Sequence, residues 1–444
     1  MHDLSTTLVA VATAPGRGGL GCVRLSGPRA REIAGAMFRA GRSTRTPLFG
    51  TFLDGEGRGI DHGFLVEFEP ERSFTGEPAV ELWTHGSPPV LTALVEAALR
   101  RGAEPAGPGE FTYRALRQGR VDLPRAEAIR DLIAARTLHQ ARVAFSQVEG
   151  AVARRVAPLR ETLLDLAARA EAAVEFVDEP EVQGASEALD RGVRAAAASA
   201  RELLDEARRG RVVREGSRVA ICGAPSVGKS SIFNRFVGAD RAIVSSVAGT
   251  TRDTLEETID LDGLAVTLVD TAGLRPVEDP VEAEGVRRAR VAAAEADLTI
   301  FVLDATRAET DEESAALESA APSRILVANK ADLLPEGSSP PRGDALRVSA
   351  HTGDGWDGLR HALRSRLEAG DTEAPALTNV RHALALERVA QALIRAQQAL
   401  EAGLSDEVVL LDIHEALAAI GEITGELGNE ELYDRIFATF CIGK

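Results

Sequence analysis

At 444 residues the chain exceeds what one hydrophobic core usually serves, so the sequence predicts two or three domains. The net charge of −17 argues against a protein that coats nucleic acid, and no apolar run reaches the ~20 residues that a membrane span requires. Three scattered cysteines argue against a disulfide framework, so we predict a cytoplasmic protein with no membrane association.

The first 118 residues have the texture of an α+β domain. Short apolar runs separated by glycine and proline predict strands over 18–25, 63–68 and 79–83, followed by a helix over 88–101. We therefore predict an N-terminal domain over 1–118.

The next part of the chain is rich in alanine, leucine, glutamate and arginine. Apolar positions from Phe145 to Ala173 recur every three or four residues, which predicts one long amphipathic helix that Pro158 should kink or interrupt. A second helical block covers 380–440. We predict one discontinuous helical domain over 119–215 and 371–444, into which residues 216–370 are inserted.

A phosphate-binding motif opens the inserted region. The predicted strand 218–222 is followed by residues 223–230, which fit G-x-x-x-x-G-K-[ST], and then by a predicted helix over 231–237. In this arrangement backbone N–H groups face the β-phosphate and Lys229 bridges β- and γ-oxygens. The Ser230 hydroxyl is a ligand for Mg²⁺.

Four further motifs follow in the order that a guanine-nucleotide-binding domain requires. Residues 249–253 fit a first switch with Thr251 as a second Mg²⁺ ligand, and Asp270 opens a D-T-A-G loop after a predicted strand over 265–269. After another predicted strand over 324–328, Asp332 in N-K-A-D can accept both N1–H and the exocyclic amine of guanine, a pair of donors that adenine does not offer. Ser349-Ala350 then fits the fourth motif, a guanine loop whose backbone N–H contacts guanine O6. The predicted GTP contacts are Ser226, Val227, Gly228, Lys229, Ser230, Ser231, Ser245, Ser246, Val247, Ala248, Gly249, Thr250, Thr251, Asp270, Thr271, Ala272, Gly273, Asn329, Lys330, Asp332, Ser349 and Ala350.

These motifs predict the fold class: a multidomain α/β and α protein with a Ras-like α/β GTPase domain inserted in the helical domain.

The motifs do not identify the residue that orients the attacking water. Leu274 stands where Ras-like proteins have glutamine, and the acidic residues of 278–284 are the nearest replacements. Lysine occurs only at Lys229, Lys330 and Lys444; because two of these lie in nucleotide motifs, we expect a function for the third.

Along its whole length the chain resembles the bacterial MnmE (TrmE) family of tRNA-modification GTPases. The most specific match is the C-terminal segment 440–444, F-C-I-G-K. Residues 15–19, 23–27, 108–112, 121–123 and 421–426 also resemble the family.

The resemblance implies a homodimer that forms a heterotetramer with an FAD-dependent partner of the MnmG (GidA) type. This assembly would modify carbon 5 of the wobble uridine of certain tRNAs, using a tetrahydrofolate one-carbon unit and GTP hydrolysis. By position, Glu282 matches the family's water-orienting glutamate, and Cys441 matches a cysteine needed for modification. The matches to the 5-formyltetrahydrofolate contacts are Arg24, Glu81, Arg120 and Lys444, with Arg120 replacing the usual lysine.

One position departs from the family. Ser226 stands where the family usually has an asparagine that ligates K⁺, and carbonyls at Ser245, Val247 and Thr250 would complete that ion's site. We therefore expect K⁺ to be held by fewer or longer contacts.

Two other functions remain open at this point. A ribosome-assembly GTPase would share several motifs, but it predicts a basic RNA-binding module after the G domain, whereas this chain continues into acidic helices. A non-enzymatic G-protein switch would differ by slow hydrolysis that needs an external activator.

Overall fold

The computed structural model describes residues 3–40, 47–175, 185–239, 255–270, 295–319, 323–335, 340–367, 375–426 and 430–443. The chain divides into two compact units. The first comprises Met1–Arg130, Gln147–Ala153 and Ile420–Lys444, and the second comprises Asp131–Ser146 and Arg154–Ala419.

A seven-stranded sheet with the order β3-β4-β5-β6-β2-β1-β7 forms the centre of the first unit. Its neighbouring strands are antiparallel except for the parallel β1–β7 pair. Its strands are β1 (Leu8–Val11), β2 (Gly18–Ser26), β3 (Phe38–Ala40), β4 (Leu48–Leu53), β5 (Gly59–Phe68), β6 (Ala79–Gly86) and β7 (Glu104–Pro105). The strands predicted over 18–25, 63–68 and 79–83 are confirmed.

Two helices, α1 (Ala30–Ala36) and α2 (Pro88–Leu99), cover one face of this sheet. Alternate strand residues such as Val23 and Leu82 are fully buried beneath them, as the two-residue period of a strand requires. The following helices are α3 (Glu110–Arg117) and α4 (Leu123–Ala134), and the C-terminal α13 (Glu430–Phe437) belongs to the same unit. Aromatic and leucine side chains join these last three helices in one core: Tyr113, Leu123, Tyr433, Phe437 and Phe440.

Long helices make up the helical part of the second unit. They are α5 (Leu138–Val148), α6 (Ala151–Glu175), α7 (Ala185–Glu215), α11 (Val380–Glu401) and α12 (Asp406–Thr424), some of which extend beyond the unit's bounds. Helices α7 and α11 pack against each other, and both contain fully buried alanines such as Ala200 and Ala396. Ion pairs Arg194–Glu401 and Arg208–Glu387 flank their contact.

The prediction of one continuous helix over 145–173 was wrong, and no interruption occurs at Pro158. Helix α5 ends at Val148, and Gly150 adopts φ +89°, a left-handed conformation that favours glycine and ends a helix. Helix α6 then continues through Pro158. The periodic pattern runs across Gly150 because apolar spacing alone does not register a backbone break.

The α/β part of the second unit is a six-stranded sheet with the order β13-β12-β11-β8-β10-β9. All neighbouring pairs are parallel except β10–β9. The strands are β8 (Ser217–Gly223), β9 (Leu255–Leu261), β10 (Leu264–Asp270), β11 (Leu298–Asp304), β12 (Arg324–Asn329) and β13 (Leu346–Arg347). The strands predicted over 218–222, 265–269 and 324–328 are confirmed.

Both faces of this sheet are covered, which explains its continuous apolar strands. Helices α8 (Lys229–Ala239) and α10 (Trp356–Leu367) contribute Phe236 and Leu359 to the core on one face. Helix α9 (Asp311–Ser319) contributes Leu317 to the core on the other. The predicted fold class, a Ras-like α/β domain inserted between helical segments, is confirmed. Among the described helices, none is both long and apolar enough to cross a membrane.

Candidate nucleotide-binding site

The loop between β8 and α8 has a backbone that only particular residues can adopt. Gly223 and Gly228 have φ values of +143° and +98°, and Ser226 has φ +64°. A Cβ on Gly223 would lie 2.3 Å from the Val302 carbonyl oxygen, and one on Gly228 would lie 2.2 Å from Asn329 Nδ2. Both glycines are therefore required by close packing as well as by backbone conformation. The loop ends at the N-terminus of α8, whose free N–H groups favour an anion.

The Lys229 ammonium lies against this loop. Its Nζ donates to the carbonyl oxygens of Gly223 at 2.9 Å and Ala224 at 2.8 Å. Burial lowers the pKa of Lys229, while the charges of Asp270 and Cys222 oppose that shift. A cation fixed over a phosphate-binding loop stabilises the negative charge of β- and γ-phosphates.

Two predicted Mg²⁺-related side chains meet beside the loop. Ser230 Oγ donates to Asp270 Oδ2 at 2.9 Å, and Asp270 is fully buried at the end of β10. Hydroxyl and carboxylate oxygens are the ligands that Mg²⁺ prefers, so this pair fits the ion.

The amide of Asn329 connects the phosphate loop to the loop that follows β13. Its Nδ2 donates to the Val227 carbonyl oxygen at 2.9 Å, and its Oδ1 accepts from the Ala350 N–H at 3.0 Å. Because Asn329 is 3% exposed, both bonds are made away from water. The amide thus holds two motifs, 102 and 21 residues distant in sequence, in one arrangement.

The Asp332 carboxylate, which is predicted to read guanine, is also oriented by a neighbour. Ser349 Oγ donates to Asp332 Oδ1 at 2.6 Å, and Ser349 itself is fully buried while Asp332 is exposed. The Ser349 hydroxyl in turn accepts from the Thr352 N–H at 3.0 Å. An exposed carboxylate held from behind by a buried hydroxyl is suited to accepting hydrogen bonds from a base edge.

The structure adds two residues to the site that the motifs did not identify. Asp304, at the end of β11, pairs with Lys330 Nζ at 2.6 Å; burial tends to raise the pKa of Asp304, but hydrogen bonds from Lys330 and Thr306 lower it overall. Arg235 on α8 donates to the Ala350 carbonyl oxygen at 2.9 Å. Asp304 could have been predicted from the sequence, because it ends the apolar strand β11 just as Asn329 ends the neighbouring strand β12.

Several predicted site residues lie outside the described residues. They are Ser245, Ser246, Val247, Ala248, Gly249, Thr250, Thr251, Thr271, Ala272, Gly273, Glu282 and Lys444. The described residues bring together the phosphate loop, Asp270, Asn329, Lys330, Asp332 and the segment Ser349–Ala350 at the carboxyl ends of the parallel strands of one sheet, where ligands bind in such folds.

Replacing Asn329 by alanine is expected to weaken GTP binding about 10–100-fold, because two buried hydrogen bonds of ~0.5–1.5 kcal/mol each are lost. Titration calorimetry with GTP measures the change. The matched control is Asn234→Ala on the exposed face of α8, which should bind GTP as the unchanged chain does. Equal affinities in the two variants would contradict the linking role of Asn329.

In the first unit the structure brings together two of the four predicted folate contacts. Arg24 on β2 and Glu81 on β6 occupy paired positions, and Arg24 Nη2 lies 2.8 Å from Glu81 Oε1. Trp83 Nε1 donates to Glu81 Oε2 at 3.1 Å. Arg120 instead donates to the carbonyl oxygens of Glu71 and Ser73.

The C-terminal segment with Cys441 runs beside the same sheet. The carbonyl oxygen of Cys441 accepts from the Gly109 N–H at 3.2 Å, and Ile442 forms an antiparallel bridge with Pro108. A Cβ on Gly443 would lie 2.3 Å from the Val11 carbonyl oxygen, so glycine is needed for this approach. The Cys441 side chain is exposed.

Both parts of the chain outside the inserted domain match known families. Residues 7–120 match the family described as GTP-binding protein TrmE N-terminus, and residues 123–441 match the family described as MnmE helical domain. The second match spans the inserted domain and reaches Cys441.

Full-length relatives give the same result. The chain is 45% identical over 455 residues to the tRNA modification GTPase MnmE of Xanthomonas campestris pv. campestris (strain 8004), with 100% of both chains covered. It is 43% identical over 466 residues to the tRNA modification GTPase MnmE of Koribacter versatilis (strain Ellin345), again with 100% of both covered. Aquifex aeolicus Era bound to GDP.AlF4- is 24% identical and covers 40% of this chain and 67% of its own, but a TM-score of 0.28 supports no conclusion.

Proposed function

The chain belongs to the MnmE family of tRNA modification GTPases, and on this basis we propose that it hydrolyses GTP to modify carbon 5 of the wobble uridine of certain tRNAs. The observation that carries the GTPase part is the Asn329 amide, which joins the phosphate loop to the guanine loop. The full-length identity to tRNA modification GTPases supports the tRNA part.

We propose that Mg²⁺ accompanies the nucleotide. The Ser230 and Asp270 side chains, 2.9 Å apart, would hold the ion together with Thr251. The ion would neutralise charge on the β- and γ-phosphate oxygens, which is its general role in phosphoryl transfer. K⁺ at Ser226, Ser245, Val247 and Thr250 would add positive charge at the same phosphates.

The hydrolytic water must be oriented by a polar side chain, and Leu274 has no hydrogen-bonding group that could do so. We propose Glu282 for this role, because its position matches the family's glutamate. Lys229 would stabilise the charge that develops on the phosphates, consistent with its fixed place against the loop.

For the modification itself, we propose a homodimer that joins an FAD-dependent partner of the MnmG type in the cytoplasm and acts on tRNA. The N-terminal domain (1–118) would bind a 5-formyltetrahydrofolate-type cofactor through Arg24, Glu81, Arg120 and Lys444, and this folate supplies a one-carbon unit when bound. Glu81 is partly exposed and Arg24 provides a positive charge beside it, so the pair fits a ligand with both N–H donors and carboxylates. The helical domain (119–215 and 371–444) would carry the G domain (216–370) and present Cys441.

The proposed function is tested by nucleoside mass spectrometry of tRNA incubated with the protein, the partner, GTP and the folate. We expect wobble-uridine modification that is lost when any one component is omitted.

Cys441→Ser should reduce modification at least tenfold while leaving GTP turnover unchanged, because a hydroxyl is a far weaker nucleophile than a thiolate. Cys222→Ser is the matched thiol control. Hydrolysis without any modification by the unchanged chain would contradict the proposed reaction.

A separate experiment tests the departure at Ser226. We expect GTP turnover to be faster in K⁺ than in Na⁺, and Ser226→Asn to enlarge this difference about threefold or more, because an amide oxygen is a stronger ligand and asparagine tolerates the φ of +64° at this position. Steady-state phosphate release in the two salts at equal ionic strength measures the effect. Equal rates in K⁺ and Na⁺ for both chains would contradict a K⁺ site here.

A further inference from the structure

The hairpin of β9 and β10 lies between two switch sequences, the predicted first switch over 249–253 and the D-T-A-G loop that starts at Asp270. β9 starts at Leu255, two residues after the end of the predicted switch 249–253, and β10 ends at Asp270, which contacts Ser230. Leu261 and Leu264 pair across the turn, and its two central residues, Asp262 and Gly263, have φ values of +51° and +98°. These are the features of a two-residue type I′ turn, so the hairpin is short and its register is defined.

The far end of this hairpin is bonded to the helical part of the same unit. Thr137 Oγ1 donates to the Gly263 carbonyl oxygen at 2.7 Å, and Thr137 is 5% exposed. A Cβ on Gly263 would lie 3.1 Å from His139 Cβ, so the turn and the start of α5 are in close contact. The contact is far from Asp270, since β10 is seven residues long and a strand rises ~3.3 Å per residue.

A capping box at the start of α5 holds Thr137 in place. Its Oγ1 accepts from the Gln140 N–H at 3.1 Å, and Gln140 Oε1 accepts from the Thr137 N–H at 3.2 Å. The capping box uses the Thr137 hydroxyl oxygen and the Gln140 amide oxygen as acceptors. The Thr137 O–H and the Gln140 N–H₂ can therefore donate to other elements. Gln140 Nε2 donates to the carbonyl oxygens of Val213 at 2.9 Å and Arg214 at 3.2 Å, in the last turn of α7.

The same small region therefore contains the turn of the hairpin, the start of α5 and the end of α7, which enters β8 directly. Arg214 also pairs with Asp131, with Nε and Oδ2 2.6 Å apart and both side chains mostly buried. Asp262 pairs with Arg360 on α10 at 3.0 Å. Both residues of the turn are thus fixed by side chains from different elements.

We propose that Thr137 and Gln140 are positioning residues that transmit the nucleotide state from the β9–β10 hairpin to the helical domain. A displacement at either switch sequence moves a strand that is continuous with this turn, and the buried bond from Thr137 makes α5 follow it. The effect on tRNA modification rests on the proposed function, whereas the effect on α5 requires only nucleotide binding. A coupling of this kind needs an element that both sites can bias. The hairpin contacts both sites, through Asp270 at one end and the Gly263 carbonyl oxygen at the other.

The experiment compares Thr137→Val with the unchanged chain. Valine keeps the shape of threonine but cannot donate to Gly263. We expect GTP turnover within twofold of the unchanged chain, and tRNA modification per GTP hydrolysed at least fivefold lower. Amide hydrogen exchange in residues 138–148 should differ between a GTP analogue and GDP in the unchanged chain, and this difference should fall by at least half in the variant.

Three further variants separate coupling from folding. Thr137→Ser retains the hydroxyl and should behave as the unchanged chain does. Thr258→Val removes a hydroxyl that bonds Thr267 within the same hairpin, and it should also have no effect on coupling. Thr137→Asp keeps an acceptor that caps α5 but cannot donate to Gly263, so it should reproduce the loss even if the valine variant is unstable.

The outcomes distinguish this inference from the proposed function. If the unchanged chain hydrolyses GTP but modifies no tRNA, the proposed function fails and the hydrogen-exchange comparison still tests the coupling. If Thr137→Val and Thr137→Asp keep the full exchange difference in 138–148, the coupling inference is overturned. A parallel loss of turnover and modification in both variants would also overturn it, since it would place Thr137 in the support of the nucleotide site.

Discussion

Replacing Asp332 by asparagine is expected to lower the affinity for GTP about 10²–10⁴-fold, because two hydrogen bonds to a charged group contribute ~1.5–3 kcal/mol each. The carboxylate can accept from both N1–H and the exocyclic amine of guanine. An asparagine offers one acceptor and places an N–H₂ donor against one of these two donors. Xanthine has an oxygen where guanine has its exocyclic amine, and this oxygen can accept a hydrogen bond from the asparagine N–H₂. The same substitution should therefore create affinity for xanthosine triphosphate.

The side chain is well placed for this exchange. Ser349 Oγ holds Asp332 Oδ1 at 2.6 Å and can equally donate to an asparagine oxygen, so the amide should keep the orientation of the carboxylate. Titration calorimetry with GTP, xanthosine triphosphate and ATP measures the result, and Asp344→Asn, an exposed carboxylate on the described surface, is the matched control. Unchanged GTP affinity in Asp332→Asn would show that the base is read elsewhere.

Replacing Glu282 by alanine is expected to reduce kcat for GTP hydrolysis about 10²–10⁴-fold, the usual contribution of a residue that positions or deprotonates a nucleophile. Affinity for GTP should remain within a few-fold, because the phosphate and guanine loops are untouched. The expectation follows from Leu274, which offers no hydrogen bond to water, and from the family match of Glu282, which lies outside the described residues.

Single-turnover hydrolysis with pre-bound GTP separates the chemical step from binding. Glu278→Ala and Glu284→Ala are the controls, since both remove a carboxylate from the same acidic segment. We expect both to retain most of the activity. A large loss in Glu284→Ala with normal turnover in Glu282→Ala would transfer the role to the other glutamate, and a large loss of GTP affinity in Glu282→Ala would contradict a purely catalytic role.

The sequence predicted those parts of the site whose chemistry depends on short spacing. The phosphate loop requires glycine at positions of positive φ, and the apolar strands before Asp270 and Asn329 carry a strong local pattern, so both were found in place. The link between Asn329 and Val227 could not be predicted, because it joins residues 102 apart through side-chain packing. The same is true of Arg235 and of the Arg24–Glu81 pair.

In the helical part of the chain, the sequence predicted the helices better than the points at which they end. Apolar spacing found helix across 145–173 but missed its break at Gly150, where the left-handed backbone of one residue ends α5. Pro158 does not interrupt a helix, since α6 continues through it. The capping box at Thr137 was within reach of the sequence, because threonine followed three residues later by glutamine is a known start signal.

Equilibrium binding of GTP and ATP to the purified protein, at equal Mg²⁺ and K⁺, tests the central claim most directly. A triphosphate held at Lys229 with its base read by Asp332 predicts GTP affinity at least about 100-fold above that for ATP, since adenine offers the carboxylate neither an N1–H nor an amine beside it. Equal affinity for the two nucleotides, or binding of neither, would contradict the account.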